Sequence, residues 1–181
     1  MSKKITFLPI ILTVLFVSAS GPILGQSEQA TTLGREQLIA AAREIMKAQT
    51  YCALITLDKS GRPSVRTMNP FPPEDDMTVY MATNTKTRKI QQIRKDPRVC
   101  LYYSDHGKAI GYVALSGRAV LVDDMKEILK RKRDYWDTAF PGLKDLVLIK
   151  VIPEQMDVLN YKAGALADKV TWRTPTVTFE K

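Results

Sequence analysis

Tyr80-Met81-Ala82-Thr83-Asn84-Thr85-Lys86-Thr87-Arg88-Lys89 is the stretch on which both the fold and the candidate site turn. Met77–Thr83 is β-prone and reads as a strand, and a helix over Thr85–Lys95 follows almost at once, ended by Pro97. The first backbone N–H groups of a helix have no intrahelical partner and carry partial positive charge, so acidic side chains are favoured there. This helix opens instead on Lys86, Arg88 and Lys89, interleaved with the hydroxyls of Thr83, Thr85 and Thr87. N–H groups, hydroxyls and cations converging on one point suit a phosphate. The competing reading is that Thr85 caps the helix and the basic side chains spread into water.

Working outward, Leu38, Ile39, Ala42, Ile45 and Met46 recur at helical spacing and predict an amphipathic helix over Arg35–Ala48. Tyr51–Leu57 and Pro63–Asn69 read as strands of one hairpin, turned by Asp58-Lys59-Ser60-Gly61. The run Pro70-Phe71-Pro72-Pro73 interrupts the pairing, because proline has no N–H for a ladder. Beyond the helix, Val99–Tyr103 and Tyr112–Val122 predict two more strands around the loop Asp105–Gly107. Asp123 is placed as the cap of one helix carrying Met125, Ile128, Leu129, Trp136 and Phe140, stopped by Pro141-Gly142. Leu146–Ile152 predicts a sixth strand that Met156–Tyr161 continues past a bulge at Pro153, and the tail Val170–Lys181 is β-prone without a clear place. The chain is therefore expected to be mainly β with peripheral helices, a six-stranded antiparallel barrel.

Composition sets the outer bounds. The 181 residues include 27 Lys and Arg against 19 Asp and Glu, a net charge of +8, with two Cys and one His. An apolar fraction of 45% with 25% charged residues is globular, and it excludes a disordered chain, a disulfide scaffold and a multi-span membrane protein. One His and two Cys 48 residues apart supply no zinc ligand set, so no metal site is expected. Cys52 and Cys100 lie in strand-like runs and are expected as two packed thiols rather than a bridge. Lys3 and Lys4 precede an apolar run, Ile5–Val17, and then the small residues of Ser18–Gly21. That pattern predicts a signal peptide over residues 1–25, cleaved between Gly25 and Gln26, with an uncleaved anchor as the alternative. The apolar run is short of the roughly 20 residues a span needs. Residues 26–181 then form a single exported domain, periplasmic or extracellular, with its core over residues 35–161 and a tail over 162–181. No aromatics interleave with the cations of the basic helix, so no nucleic-acid partner is expected.

Several motifs in order carry a family resemblance: Gly61-x-Pro63-x-x-Arg66; Thr83 to Lys89 with Ile90 and Ile93; Asp96-Pro97-Arg98-Val99 with Leu101; Ser116-Gly117-Arg118-Ala119; and Asp123. Together they resemble the pyridoxamine 5′-phosphate oxidase-like split barrels, over about Leu38 to Tyr161, and look closest to the short general-stress branch. The resemblance implies a six-stranded Greek-key split barrel that forms a homodimer and holds FMN at the subunit interface. Carried over by position, Arg66, Arg88 and Lys89 would grip the FMN phosphate. Thr83 and Thr87 would add hydroxyls, and the backbone at Thr67 and Met68 would face the ribityl chain or the ring.

The pattern that reads substrate in the B6 enzymes is not kept. Phe71 stands where they carry a Lys and Tyr112 where they carry a Gln, while Lys130 and Asp134 stand for their Tyr and Arg. Trp172-Arg173 matches their C-terminal motif poorly. The expectation is an exported flavin-dependent oxidoreductase of other substrate, or a non-catalytic binder of flavin or a related cofactor. No catalytic side chain is assigned: His106, the sole histidine, falls in a loop, where it is expected to cap a turn.

Overall fold

The computed structural model describes residues 33–180, and the leader expected over residues 1–25 lies outside them. Helix α1 (Arg35–Ala48) opens with the Gly34 N–H donating to the Gln37 side chain at 2.9 Å. It buries Leu38, Ala41, Ala42, Ile45 and Met46, the stripe its 3.6-residue period predicts. Strands β1 (Cys52–Leu57) and β2 (Pro63–Met68) form the expected hairpin, followed by β3 (Val79–Asn84), helix α2 (Arg88–Lys95), β4 (Arg98–Ser104) and β5 (Gly111–Val122). Two short helices, α3 (Met125–Lys130) and α4 (Trp136–Ala139), lead through a 3-10 turn into β6 (Leu146–Asn160). A short β7 (Thr176–Thr178) adds to β6, and this is where the β-prone tail goes.

All pairings are antiparallel, in the order β2-β1-β4-β5-β6-β3. This is the mainly β, split-barrel arrangement with peripheral helices. Alternate residues of β1, β4 and β5 point inward, so Leu54, Leu101 and Leu115 join Met81 of β3 and Ile149 and Val158 of β6 in a core against which α1 packs. The sheet does not close on itself. Among the described residues its terminal strands β2 and β3 do not pair; just past β2, an isolated bridge joins Pro70 to Met81, and the Phe71 N–H donates to the Tyr80 carbonyl at 2.8 Å. The proline run thus ends β2 while leaving one tether across the gap.

Four expectations need correction. Helix α2 begins at Arg88 with Thr87 at its cap position, not at Thr85. Asp124, not Asp123, caps α3, accepting from the Lys126 N–H at 3.0 Å. The single helix expected from Asp123 to Phe140 breaks at Arg131–Tyr135, and Met125 and Leu129 are exposed. The break lets two cations turn back onto aromatic rings: Arg131 lies 3.7 Å above Tyr80 and Arg133 lies 4.0 Å above Phe71. Finally, His106 is exposed in its loop, and Asp105 does the capping there, accepting from the Gly107 and Lys108 N–H groups.

The expected bulge in the last long strand is present. Ser116 faces Gln155 and Gly117 faces Pro153, so Glu154 is the extra residue. Cys52 and Cys100 are both free thiols, as expected.

Candidate functional site

The gap between β2 and β3 collects the residues singled out in the sequence. Among the described residues β2 pairs only with β1, and no described strand pairs with the outer edge that carries Arg66, Thr67 and Met68. Ser64, Arg66 and Met68 lie opposite Thr56, Leu54 and Cys52, which puts the Arg66 side chain on the inward face. Thr67 points outward and Met68 is buried. Across the gap, Thr83 is the last residue but one of β3, and the chain turns from Asn84 through Thr87 into α2, whose first residues are Arg88 and Lys89. That turn is built locally: the Asn84 side chain accepts from the Lys86 N–H at 2.9 Å, and the Thr87 hydroxyl donates to the Asn84 carbonyl at 2.9 Å. Lys86, expected among the anion-binding cations, points away and pairs with Asp145 at 2.6 Å.

Three cations remain and come together. Lys89 Nζ donates to Thr83 Oγ1 at 2.9 Å, which joins α2 to β3. Burial, and then the neighbouring Arg88, hold the Arg66 guanidinium below its ordinary value. Burial, and then Arg66, do the same for the Lys89 ammonium. Arg66 and Lys89 are half-buried and Arg88 is exposed. Among the described residues no ion pair involves any of the three. The first turn of α2 holds no acid. Like charges packed at the positive end of a helix repel, and a bound anion relieves all of these repulsions together.

Sequence reasoning missed the residues that hold Arg66 in place. Its Nη1 donates to the Leu54 carbonyl at 3.2 Å and to Thr56 Oγ1 at 2.6 Å, and its Nη2 donates to Gln92 Oε1 at 2.8 Å. Thr56 is fully buried and donates in turn to Gln92 Oε1 at 2.6 Å, while Gln92 Nε2 donates to Ser64 Oγ at 3.1 Å. The available signal was spacing: Gln92 lies four residues after Arg88 and three after Lys89, on their face of the helix. The guanidinium spends three bonds on neutral acceptors and keeps its full charge. Arg66, Arg88, Lys89, the Thr83 hydroxyl and the α2 N-terminus therefore fit a phosphate monoester, and the free β2 edge fits the polar chain attached to one.

The substrate-reading positions are arranged differently. Phe71 packs edge-on to Trp136, with ring centroids 6.1 Å apart, beneath Arg133, which also donates to the Pro70 carbonyl at 2.8 Å. Lys130 and Asp134 are exposed, and Tyr112 is hydrogen-bonded to Thr174 at 2.8 Å. A cavity of about 1030 Å³ lies elsewhere, between the start of α1, the Asp75–Met77 turn and β7. No group of metal-ligating side chains occurs among the described residues.

Known proteins agree with this architecture. The chain is 30% identical over 115 residues to general stress protein 26 of Bacillus subtilis (strain 168), covering 60% of this chain and 78% of that protein. The crystal structure of a related protein from Clostridium acetobutylicum superposes with a TM-score of 0.63 at 18% identity, over 81% of this chain and 96% of that one. A heme binding protein from Mycobacterium smegmatis shares the fold at 13% identity, with a TM-score of 0.57 over 76% of this chain and 56% of that one. The family model described as pyridoxamine 5′-phosphate oxidase matches residues 38–160, two thirds of the chain and every strand that borders the gap. By that match, the chain belongs to the pyridoxamine 5′-phosphate oxidase family.

Proposed function

We propose that this chain is an exported FMN-binding protein that acts as a homodimer and as a flavin-dependent oxidoreductase on a substrate other than a B6 phosphate. The observation that carries the reading is the meeting of Arg66, Arg88 and Lys89 at one helix start with no acid among them. In this reading those cations and Thr83 hold the phosphate. Thr87, the α2 cap residue, adds a hydroxyl, and the β2 backbone at Thr67 and Met68 lines the ribityl chain and ring. Bound FMN supplies the redox chemistry, and the protein orients it and limits access by water. Phe71, Lys130 and Asp134 offer no cationic set for a second phosphate, and the Asp134 carboxylate would repel one. Pyridoxamine and pyridoxine phosphates are therefore not the substrates of this reading.

The test is a flavin titration of residues 26–181, followed by absorbance and sedimentation. FMN is expected to bind a dimer. Arg88→Ala and Lys89→Ala should each weaken FMN by roughly 10- to 150-fold, the loss of one charge-assisted bond of about 1.5–3 kcal/mol. Unchanged titrations in both variants would overturn the phosphate assignment. Binding of haemin but not FMN would assign the gap to another cofactor. A yellow protein that no reductant or acceptor turns over would be a flavin carrier rather than an enzyme.

A further inference from the structure

Resting on the reading of the gap as a phosphate site, we propose that Gln92 is a positioning residue that aims Arg66 at the bound anion while leaving its charge unspent. Its amide orientation is fixed from both sides. Gln92 Oε1 accepts from Arg66 Nη2 at 2.8 Å and from Thr56 Oγ1 at 2.6 Å, and Nε2 donates to Ser64 Oγ at 3.1 Å. With the amide turned over, its N–H pair would face the Arg66 guanidinium, which can only donate. The direction of donation therefore runs one way, from Arg66 through Thr56 to Gln92 and from Gln92 to Ser64.

Three elements meet in this circuit: β1 through Thr56, β2 through Ser64 and Arg66, and α2 through Gln92. Gln92 thus ties the strand that carries one cation to the helix that carries the other two. An arginine in a partly buried place is commonly held by a carboxylate, which would form a stronger bond here as well. It would also neutralise the guanidinium beside the anion. A neutral amide of the same shape holds the fork in place with the charge intact, and Thr56 supplies the second anchor without adding charge. The fully buried Thr56 hydroxyl has no other partner among the described residues, so its place in the core is explained by this task.

Gln92→Glu keeps the shape and places a carboxylate on Arg66. The informative quantity is the preference for FMN over riboflavin, because the two ligands differ only in the phosphate. In the wild type FMN should bind much more tightly. In Gln92→Glu that preference should shrink by at least about tenfold, with thermal stability of the ligand-free protein equal or higher. Gln92→Met, which removes the amide and adds no charge, should shrink the preference less and lower the stability. A purely structural glutamine would behave otherwise: both ligands would weaken together in Gln92→Glu and the ratio would stay fixed, which overturns the proposal. A parallel thermal shift with inorganic pyrophosphate reads the anion site without any flavin. Stabilisation of the wild type by pyrophosphate that Gln92→Glu loses supports the role of Gln92 even if flavin does not bind. A wild type that responds to neither FMN nor pyrophosphate overturns both the role of Gln92 and the phosphate site.

Discussion

Cys52 faces the interior from β1, near Tyr103, and burial pushes its thiol from an ordinary 9.0 up to about 12. Cys100 sits on β4 opposite Ile55, on the other face of the sheet, so strand alternation keeps the two sulfurs from bridging. A thiol that resists ionising in the folded state makes stability depend on pH. That contribution is fully present below pH 9 and is lost as pH rises from 9 towards 12, because the unfolded chain releases the proton first. Between pH 8 and 10.5 the loss should reach about 2 kcal/mol. Tyr103, raised by its own burial, adds to the same trend. Urea unfolding at the two pH values should show the fall, and Cys52→Ala should show a smaller one, the share owed to Tyr103 and to Cys100, whose thiol burial also raises; an identical fall in both proteins would contradict the assignment. Residues of this kind were the least legible in the sequence. The buried Thr56 has no pattern of its own, and the helical spacing that puts half-buried Gln92 on the face of Arg88 and Lys89 acquires a meaning only when three elements fold together around Arg66. The cations, by contrast, stood out because they violate the charge preference of a helix start.

At the level of elements, β5 shows why a short motif can be demanding. A Cβ on Gly117 would fall 2.1 Å from the Ile152 carbonyl oxygen, at the bulge where Glu154 is the extra residue of β6. Backbone, rather than a movable side chain, blocks the space. Gly117→Ala should therefore cost about 3 kcal/mol or more and lower the soluble yield, as overpacking of a fixed site does. A denaturant midpoint within experimental error of the wild type would show that the bulge can shift. The strands were readable because period-2 burial and the Gly and Pro punctuation agree with one another. The segment after β5 was not, because its helical spacing is real but short-lived. Arg131 is pulled onto Tyr80 and into ion pairs with Glu74 and Glu127, and Arg133 onto Phe71, so tertiary contacts divide what local propensity would keep whole. Arg131 and Arg133 are half-buried in those contacts, while Lys126, Lys130 and Lys132 between and before them stay exposed.

For the molecule as a whole, the gap between β2 and β3 decides what the barrel can do. A closed barrel would have no edges, whereas this one keeps two beside a charged helix start. The general plan was legible because the order of the motifs traces the order of the strands. That the ring stays open, joined by one bridge at Pro70–Met81, was not legible in the sequence, because it depends on the distance between the first and last strands of the sheet. Two unpaired edges are also a colloidal hazard. A naked strand edge is a template for another chain, and here β2 adds Val65, 65% exposed on its outward face. Among the described residues a single backbone bridge crosses the gap, and the proline run guards one end of β2 but not its length. In the proposed reading, cofactor and second subunit are the caps that keep this surface from recruiting strands indefinitely. Loading would then act as a solubility switch as well as a source of chemistry. Light scattering should show the ligand-free protein clustering with time at high concentration and the FMN-saturated protein staying dispersed. Val65→Lys should slow the clustering without ligand, by giving the edge a charge that a stacking neighbour would have to bury.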